Sequence, residues 1–310
     1  MSRRHSHPYT AEPEPAEDLR DSEVEDDEDE QAELSVEEQP KPLGQDAPEV
    51  VEDASKIGAQ RLRRPLLGDA ITSFTGGMSV GFGAVAFAAG AAAVGGTLGS
   101  PSVGLLVGSL LFPIGFLILL VGKTELFTEN FLLPVAAVIK ERGNLVQLGS
   151  LWSVTLGANL LGALAFAVLI SWDGVLAESV ADQLVILAEH KVAYVLPTAF
   201  IKAIFAGWLM TTLTWLLVAS AGGMGPRIAV IWGIAALIVL GQFNHVIISA
   251  AEIFAAMMLD ANITIGMWFT DNFLPALTGN VLGGLIFETM LQTVQARYQE
   301  PDEEEQPQNA

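Results

Sequence analysis

Six long apolar stretches alternate with short polar connections along the middle of the chain. They cover about residues 68–93, 103–139, 148–171, 196–220, 228–259 and 272–295. A helix that crosses the hydrocarbon core of a bilayer needs about 20 predominantly apolar residues, and each stretch is long enough for that. The pattern therefore predicts an all-α membrane protein with six transmembrane helices.

The second and fifth stretches are too long for one simple span, and each has polar residues near its centre. The second contains the segment from Gly122 to Asn130, and the fifth contains the segment from Gly241 to His245. Non-helical backbone at membrane depth persists only where it is buried in protein or lines a cavity. We therefore predict that each stretch forms a half-helix, an irregular turn and a second half-helix.

The third and sixth stretches share a sequence pattern. Residues Ala158 to Phe166 match Gly279 to Phe287 with a constant offset of 121 residues. With three spans in each half, the second copy crosses the membrane in the opposite direction, so the halves form an inverted repeat. Broken helices at matching positions of two inverted halves point to a binding site near the bilayer midplane.

The strongly negative charge of the chain, −21 in total, lies mainly at its two ends. Residues 1–53 hold 19 acidic and 4 basic residues, whereas residues 54–295 hold 12 acidic and 10 basic residues. We predict a membrane domain at 57–298 between acidic tails at 1–56 and 299–310. The first tail lacks the apolar residues needed for a core, so we expect it to be disordered. It is either a docking segment for a basic partner or a solvated extension, and its charge argues against nucleic acid binding.

Basic residues cluster in the connections on one side of the six spans. On the opposite side, Lys191 is the lone Lys or Arg of the connections at 94–102, 172–195 and 260–271. The positive-inside rule then places both termini in the cytoplasm. No apolar stretch follows a basic start in the first 30 residues, so we expect no cleavable signal peptide. These features predict a multi-pass protein of the bacterial inner membrane.

The sequence offers little for catalysis. It has no cysteine, no phosphate-binding loop, no metal-ligand cluster, and no nucleophile with a base at suitable spacing. We therefore predict neither an enzyme nor a metal or cofactor site.

His245 is a candidate pore residue. A titratable side chain at the centre of a span is costly unless it faces a cavity or the bundle interior. The alternative is a buried structural histidine that is satisfied by a carbonyl or by Thr128.

Four other charged residues fall at membrane depth and need partners there, namely Lys123, Glu129, Lys202 and Glu252. The sequence suggests that Lys202 and Glu252 pair with each other, or with Glu129 and Lys123, as packing contacts. In the alternative, Glu252 lies near His245 and tunes its protonation. Lys191 is either a functional residue on its side of the membrane or an ordinary loop lysine paired with Glu189.

Several short motifs, in order over about residues 66–296, resemble those of the formate/nitrite transporter family, in its YfdC-like branch. They are Glu125-Leu126-Phe127-Thr128, His190-Lys191-Val192, Gly207-Trp208-Leu209, Phe243-Asn244-His245, Asp271-Asn272-Phe273-Leu274-Pro275 and Thr278-Gly279-Asn280. The chain departs from the family pattern at three positions, where Gly207 replaces an asparagine, Thr198 an acidic residue and Asn244 a glutamate.

The resemblance implies an aquaporin-like hourglass, a homopentamer with one pore per subunit, and passage of small monovalent anions such as formate or nitrite with a proton. By the same resemblance, Leu126, Phe127 and Thr128 form the turn that narrows the pore, with Asn244 and the central His245 beside it. Phe112 and Phe116 line the vestibule, Lys191 attracts anions, and Asn280 is a polar lining residue.

The order lysine, apolar constriction, histidine suggests a mechanism. Desolvation of an anion in the constriction raises the pKa of the acid, and the neutral acid passes His245, which donates a hydrogen bond or a proton. Two other functions remain open at this point. One is a channel for neutral solutes on the same scaffold, and the other is a membrane scaffold with a closed pore whose acidic tail recruits a partner.

Overall fold

Helices account for most of the described part of the chain. The computed structural model describes residues 44–98, 100–220 and 223–299. The helices are α1 Ala47–Leu62, α2 Leu66–Leu98, α3 Pro101–Val121, α4 Phe127–Ile139, α5 Leu145–Ile170, α6 Glu178–Val192, α7 Leu196–Ala219, α8 Met224–Leu240, α9 Val246–Met258 and α10 Ile265–Gln299. Within these residues, α2, α3, α5, α7 and α10 are long and apolar enough to cross a membrane, whereas α4, α8 and α9 are shorter. The six predicted spans are therefore α2, α3 with α4, α5, α7, α8 with α9, and α10.

The second and fifth spans are broken in the same way, which confirms the prediction. Lys123 follows α3 with a φ of 57°, and Gln242 follows α8 with a φ of 52°. In each turn the next residue donates its backbone N–H to a carbonyl five positions back, at 3.0 Å for Thr124 and 2.9 Å for Phe243. This left-handed cap satisfies the last carbonyls of a helix, so each half-helix ends cleanly inside the protein.

The first and third spans of each half pack with their backbones nearly in contact. A Cβ atom on Gly77 in α2 would overlap the backbone of Asn159 in α5, and a Cβ on Gly207 in α7 would overlap that of Asn280 in α10. Small residues permit such close approach of transmembrane helices. The departure from the family pattern at Gly207 therefore has a packing reason, and the matched contacts confirm the inverted repeat.

The acidic tail predicted at 1–56 ends earlier than the sequence suggested. Residues 47–56 belong to α1, in which Val50, Val51 and Ala54 are at most 2% exposed. These side chains pack against α4 and the end of α10. They share one helix face, because Ala54 follows Val50 and Val51 by about one turn. The high content of acidic residues in 1–56 hid this short apolar face from the sequence analysis. Residues 1–43 and 300–310, which hold the rest of the two predicted tails, lie outside the described residues.

An ion pair anchors α1 to the connection after α4. Glu52 accepts a hydrogen bond of 2.7 Å from Arg142 Nη2, and Arg142 Nη1 also donates to Ser55. The hydrogen bond from Arg142 holds the pKa of Glu52 below its ordinary value of 4.5. A lowered folded-state pKa means that the pair stabilises the protein above the unfolded-state pKa and is lost as the pH falls through the folded-state value.

We therefore expect Glu52→Gln to lower the thermal midpoint slightly at neutral pH, and this difference to disappear as the pH falls through the lowered folded-state pKa of Glu52. Both side chains of the pair are about one third exposed, so the stabilisation is at most about 1 kcal/mol. Thermal unfolding in detergent across a pH series measures it, with the exposed Glu49→Gln as the control. An equal difference between Glu52→Gln and the parent at every pH would contradict this expectation.

Candidate functional site

His245 lies at the break of the fifth span and is completely buried. It is the N-cap of α9, where its Nδ1 accepts hydrogen bonds from the backbone N–H groups of Ile247 and Ile248, both at 3.2 Å. Its Nε2 lies 2.8 Å from Oγ1 of Thr128, at the break of the second span. The Thr128–His245 contact therefore joins the two breaks.

These contacts fix the tautomer of the neutral ring. Because Nδ1 accepts two N–H groups, it carries no proton, and the ring proton is on Nε2, where it is donated to Thr128. Adding a proton to Nδ1 would cost both capping bonds. The geometry therefore suits His245 to donate a hydrogen bond.

Two asparagines hold the breaks open. Asn159 Oδ1 accepts the N–H of Phe127 at 2.7 Å, and its amide donates to the carbonyls of Ser73 and Glu125 at 2.6 and 2.9 Å. Asn280 Oδ1 accepts the N–H of Val246 at 2.9 Å. Each asparagine thus satisfies backbone groups that a broken helix leaves without partners.

The amide of Asn280 completes the same pattern in the second half. It donates to the carbonyls of Ala203 and Asn244 at 2.8 and 2.9 Å. Asn280 is fully buried, and these bonds make it a brace of the turn that carries His245. The sequence proposed it only as a lining residue and gave Asn159 no role, although the constant offset of the two asparagines was a usable signal.

The apolar residues predicted to narrow the pore and those predicted to line its vestibule are buried together. Leu126, Phe127, Phe112 and Phe116 are at most 2% exposed and belong to one apolar cluster with Val246, Ile247 and Ile248. Phe127 packs edge to face with Phe131 at 5.0 Å and with Trp152 at 5.9 Å. The turns at both breaks are thus surrounded by apolar side chains.

A cavity of about 600 Å³ lies beside Lys191, and we call it the Lys191 cavity. Its lining includes Phe87, Leu105, His190, Lys191, Tyr194 and Gln242. Lys191 itself is only 6% exposed, and its Nζ lies 2.7 Å from Glu252 Oε2 and 3.3 Å from Ser249 Oγ. The sequence suggested Glu189 as the partner of Lys191 and Lys202 as a partner of Glu252, whereas the structure pairs Lys191 with Glu252.

Polar side chains connect this ion pair to the residue before His245. Ser249 donates a hydrogen bond of 2.8 Å to Asn244 Oδ1, which also accepts one of 3.1 Å from Asn272. Lys191, Ser249 and Asn244 therefore form a continuous chain of contacts from the Lys191 cavity toward the break.

Lys202 caps the end of α8 instead of pairing with an acid. Its Nζ lies 3.3 Å from the carbonyls of Gly241 and Gln242, and 5.0 Å from the ring centre of Tyr194. Burial, and then the negative charge of Glu252, raise the pKa of Tyr194 to about 12. The Tyr194 hydroxyl therefore stays protonated and donates to Gln242 at 3.1 Å.

A second cavity, of about 980 Å³, lies at the break of the second span, and we call it the Arg61 cavity. Its lining includes Arg61, Arg64, Lys123, Glu125, Glu129 and Arg227. Glu129 faces Arg61 at 3.6 Å, and Lys123 is exposed. The suggested pairing of Glu129 with Lys202 is thus replaced by one with Arg61.

The Lys191 and Arg61 cavities occupy equivalent places in the two halves. Lys191 corresponds to Arg61 and Gln242 to Lys123 when the repeats are matched, because the same breaks, caps and asparagine braces surround them. Ser249 binds Lys191 at 3.3 Å where Asn130 binds Arg61 at 2.9 Å. The structure thus has, at each break, a cavity that is lined in part by charged side chains, and the fully buried His245 joins the two breaks through Thr128.

Comparison with known proteins places the chain among membrane transporters. A family model described as "Formate/nitrite transporter" matches residues 48–294. The uncharacterized transporter YrhG of Bacillus subtilis is 27% identical over 243 residues, which cover 77% of this chain and 89% of that protein. The inner membrane protein YfdC of Escherichia coli is 27% identical over 194 residues, or 62% of this chain and 61% of YfdC.

Solved structures share the fold. A chain described as an FNT family ion channel superposes with a TM-score of 0.69 at 21% identity, covering 79% of this chain and 98% of that one. A pentameric formate channel with formate bound gives a TM-score of 0.61 at 20% identity, covering 74% and 97%. The aquaporin-like arrangement expected from the sequence is therefore confirmed.

Proposed function

Because this chain belongs to the formate/nitrite transporter family, we propose that it carries small monovalent anions of weak acids, such as formate or nitrite, across the membrane together with a proton. The observation that carries the proposal is the Thr128–His245 contact of 2.8 Å, which is buried where the two broken spans meet, with a cavity that contains charged side chains at each break. The relatives and structural neighbours support an anion substrate through their own descriptions.

The apolar surroundings of the breaks explain why a proton accompanies the anion. An anion stripped of water among Leu126, Phe127 and Ile247 meets a low dielectric, where an unpaired charge is very costly. Protonation removes that cost, and burial itself favours the neutral acid. The Nε2–H group of His245 then offers a hydrogen bond to the passing acid in place of water. Protonation of the anion thus removes its charge, and His245 orients the neutral acid by a hydrogen bond.

The assembly and orientation follow the family. The pentameric formate channel among the structural neighbours supports a homopentamer with one pore per subunit. The bacterial relative YfdC is described as an inner membrane protein, which supports the same membrane for this chain. With both termini in the cytoplasm, the Arg61 cavity opens inward and the Lys191 cavity opens outward.

Uptake into proteoliposomes tests the proposal. We expect purified protein to take up formate and nitrite faster than protein-free liposomes, and the rate to rise as the external pH falls because more anion is paired with a proton. Flux of glycerol or water without formate flux, insensitive to pH, would instead identify a neutral-solute channel. Absence of any flux from folded protein would favour a scaffold with a closed pore. A protein lacking residues 1–43 retains α1 and should still conduct.

Lys191 should control apparent affinity more than maximal rate. Its ammonium group, held at the cavity by Glu252 and Ser249, offers a charged hydrogen-bond donor to an entering anion, so we expect Lys191→Met to raise the KM for formate about tenfold with a smaller change in kcat. Because this variant leaves Glu252 buried without its partner, Lys191→Met combined with Glu252→Gln separates the folding cost from the loss of attraction. His190→Gln, in the lining of the same cavity, is the matched control. A parent-like KM in the double variant would rule out a role in attraction.

A further inference from the structure

Three buried carboxyl groups and two arginines meet beside the Arg61 cavity. Asp69, Glu125 and Glu129 are 2%, 4% and 6% exposed, and the side chains of Arg61 and Arg64 are 12% and 34% exposed. If every group were ionised, the cluster would carry one negative charge without a partner. A buried charge without compensation costs several kcal/mol, so the cluster favours taking up one positive charge.

Two of the carboxyl groups share one guanidinium. Arg61 Nε lies 3.5 Å from Glu125 Oε1, and Arg61 Nη2 lies 3.6 Å from Glu129 Oε2. Arg64 forms a short contact of 2.6 Å with Glu125 and reaches Asp69 at 3.5 Å. Arg64 is therefore already divided between two acids, and Glu129 depends on a long contact to Arg61. When carboxylates outnumber the cations that face them, repulsion between like charges favours keeping one of them protonated.

Two oxygens in the cluster lack a donor. Among the described residues, buried Glu125 Oε2 and Asp69 Oδ1 have no hydrogen-bond partner, whereas Glu129 Oε1 accepts the N–H of Leu126 at 3.0 Å. A buried acceptor without a donor is unfavourable. A proton on one of the three carboxyl groups would add a donor to a cluster that has too few.

We propose that Glu129, crowded with Glu125 and Asp69 around two arginines, carries one proton at neutral pH and forms a proton-binding site at the Arg61 cavity. Glu129 follows Thr128, the hydrogen-bond partner of His245, so the site adjoins the centre of the molecule. Its significance for transport rests on the proposed function, because the stored proton is the one exchanged with the transported acid.

Charged residues surround the site, and the equivalent positions in the second half of the chain lack its acidic residues. The other charged groups that line the cavity come from α1, the turn after α3 and α8, and they are Asp53, Lys56, Lys123 and Arg227. From α2, Asp69 faces Arg64, and α7 contributes the uncharged Thr214. At the equivalent positions of the fifth span stand Asn244 and Ile248, which bind no proton. The proposed proton-binding site therefore occurs only at the Arg61 cavity and has no counterpart at the equivalent positions of the fifth span.

Infrared spectroscopy of the full-length protein in lipid tests the proposal directly. The carbonyl stretching band of a protonated carboxyl should be present at pH 7 and disappear as the pH rises. We expect Glu129→Gln and Glu125→Gln each to remove this band, and Asp53→Asn, in the same cavity, to leave it unchanged. Glu288→Gln identifies any band from the buried Glu288, which is bound by Trp208 and Thr212. Glu129→Asp retains an acid and should shift the band, which covers the case in which Glu129→Gln does not fold.

Formate uptake separates this proposal from the general function. Glu129→Gln should alter the dependence of uptake on the pH at the Arg61 side, while Asp53→Asn should match the parent. The infrared band remains interpretable even if the parent carries no formate, in which case only the transport role fails. A parent band that survives unchanged in folded Glu125→Gln and Glu129→Asp would overturn the proton site, whatever the protein carries.

Discussion

Asn280→Leu should unfold or severely destabilise the protein. Leucine has a similar size but cannot bind the N–H of Val246 or the carbonyls of Ala203 and Asn244, which Asn280 holds at 2.8 to 2.9 Å. Each buried group left without a partner costs about 1–3 kcal/mol, so the total loss is on the order of 5 kcal/mol. Water cannot replace these bonds in a buried, membrane-embedded turn.

The measurement is the thermal midpoint and the yield of monodisperse protein in detergent. Asn159→Leu should be equally damaging, because it removes the corresponding bonds in the first half. Asn262→Leu, at an exposed position after α9, is the matched control and should change stability by less than about 0.5 kcal/mol. A parent-like midpoint for Asn280→Leu would show that the brace is dispensable.

His245→Ala should slow formate uptake about tenfold to a hundredfold while the protein still folds. The substitution removes the donor to Thr128 and the cap that accepts the N–H groups of Ile247 and Ile248. Loss of the cap costs about 0.5–2 kcal/mol, which a large membrane domain tolerates. The slower rate reflects the missing hydrogen bond to the passing acid, since 1.4 kcal/mol corresponds to about tenfold.

Two amide variants separate the two roles of the His245 ring, which caps α9 and donates a hydrogen bond to Thr128. His245→Asn places an acceptor where Nδ1 stands and should restore the cap, whereas His245→Gln reaches toward Thr128 and should restore the donor. If the hydrogen bond to the passing acid matters most, His245→Gln recovers more of the uptake rate than His245→Asn does. Uptake by His245→Ala equal to that of the parent at every pH would refute a role for His245 in transport.

Most of the fold was predictable because it follows from local physical constraints. The positions of the breaks followed from polar residues such as Lys123 and Gln242 inside over-long apolar stretches, and both turns have the expected non-helical backbone. The inverted repeat followed from the constant offset between two spans, and the packing of Gly77 and Gly207 confirms it.

The partners of the charged residues were not predictable in the same way. Glu252 pairs with Lys191 from α6 at 2.7 Å, and Glu129 faces Arg61 from α1 at 3.6 Å. Both partners are far away along the chain and lie on helices outside the spans. The prediction from sequence considered only charged residues at membrane depth, and it therefore paired the acids with the wrong lysines. The beginning of α1 was missed for a related reason, because its apolar face is recognisable only when α4 packs against it.

Each asparagine brace belongs to the same half of the chain as the break that it supports. Asn159 serves the turn at Phe127, and Asn280 serves the turn at Val246. A nascent chain that has grown through α5 thus already contains the groups that its broken span needs, before the ribosome has made the second half. Synthesis can then proceed as two successive insertions, and the contact between Thr128 and His245 forms when the later half docks onto the earlier one.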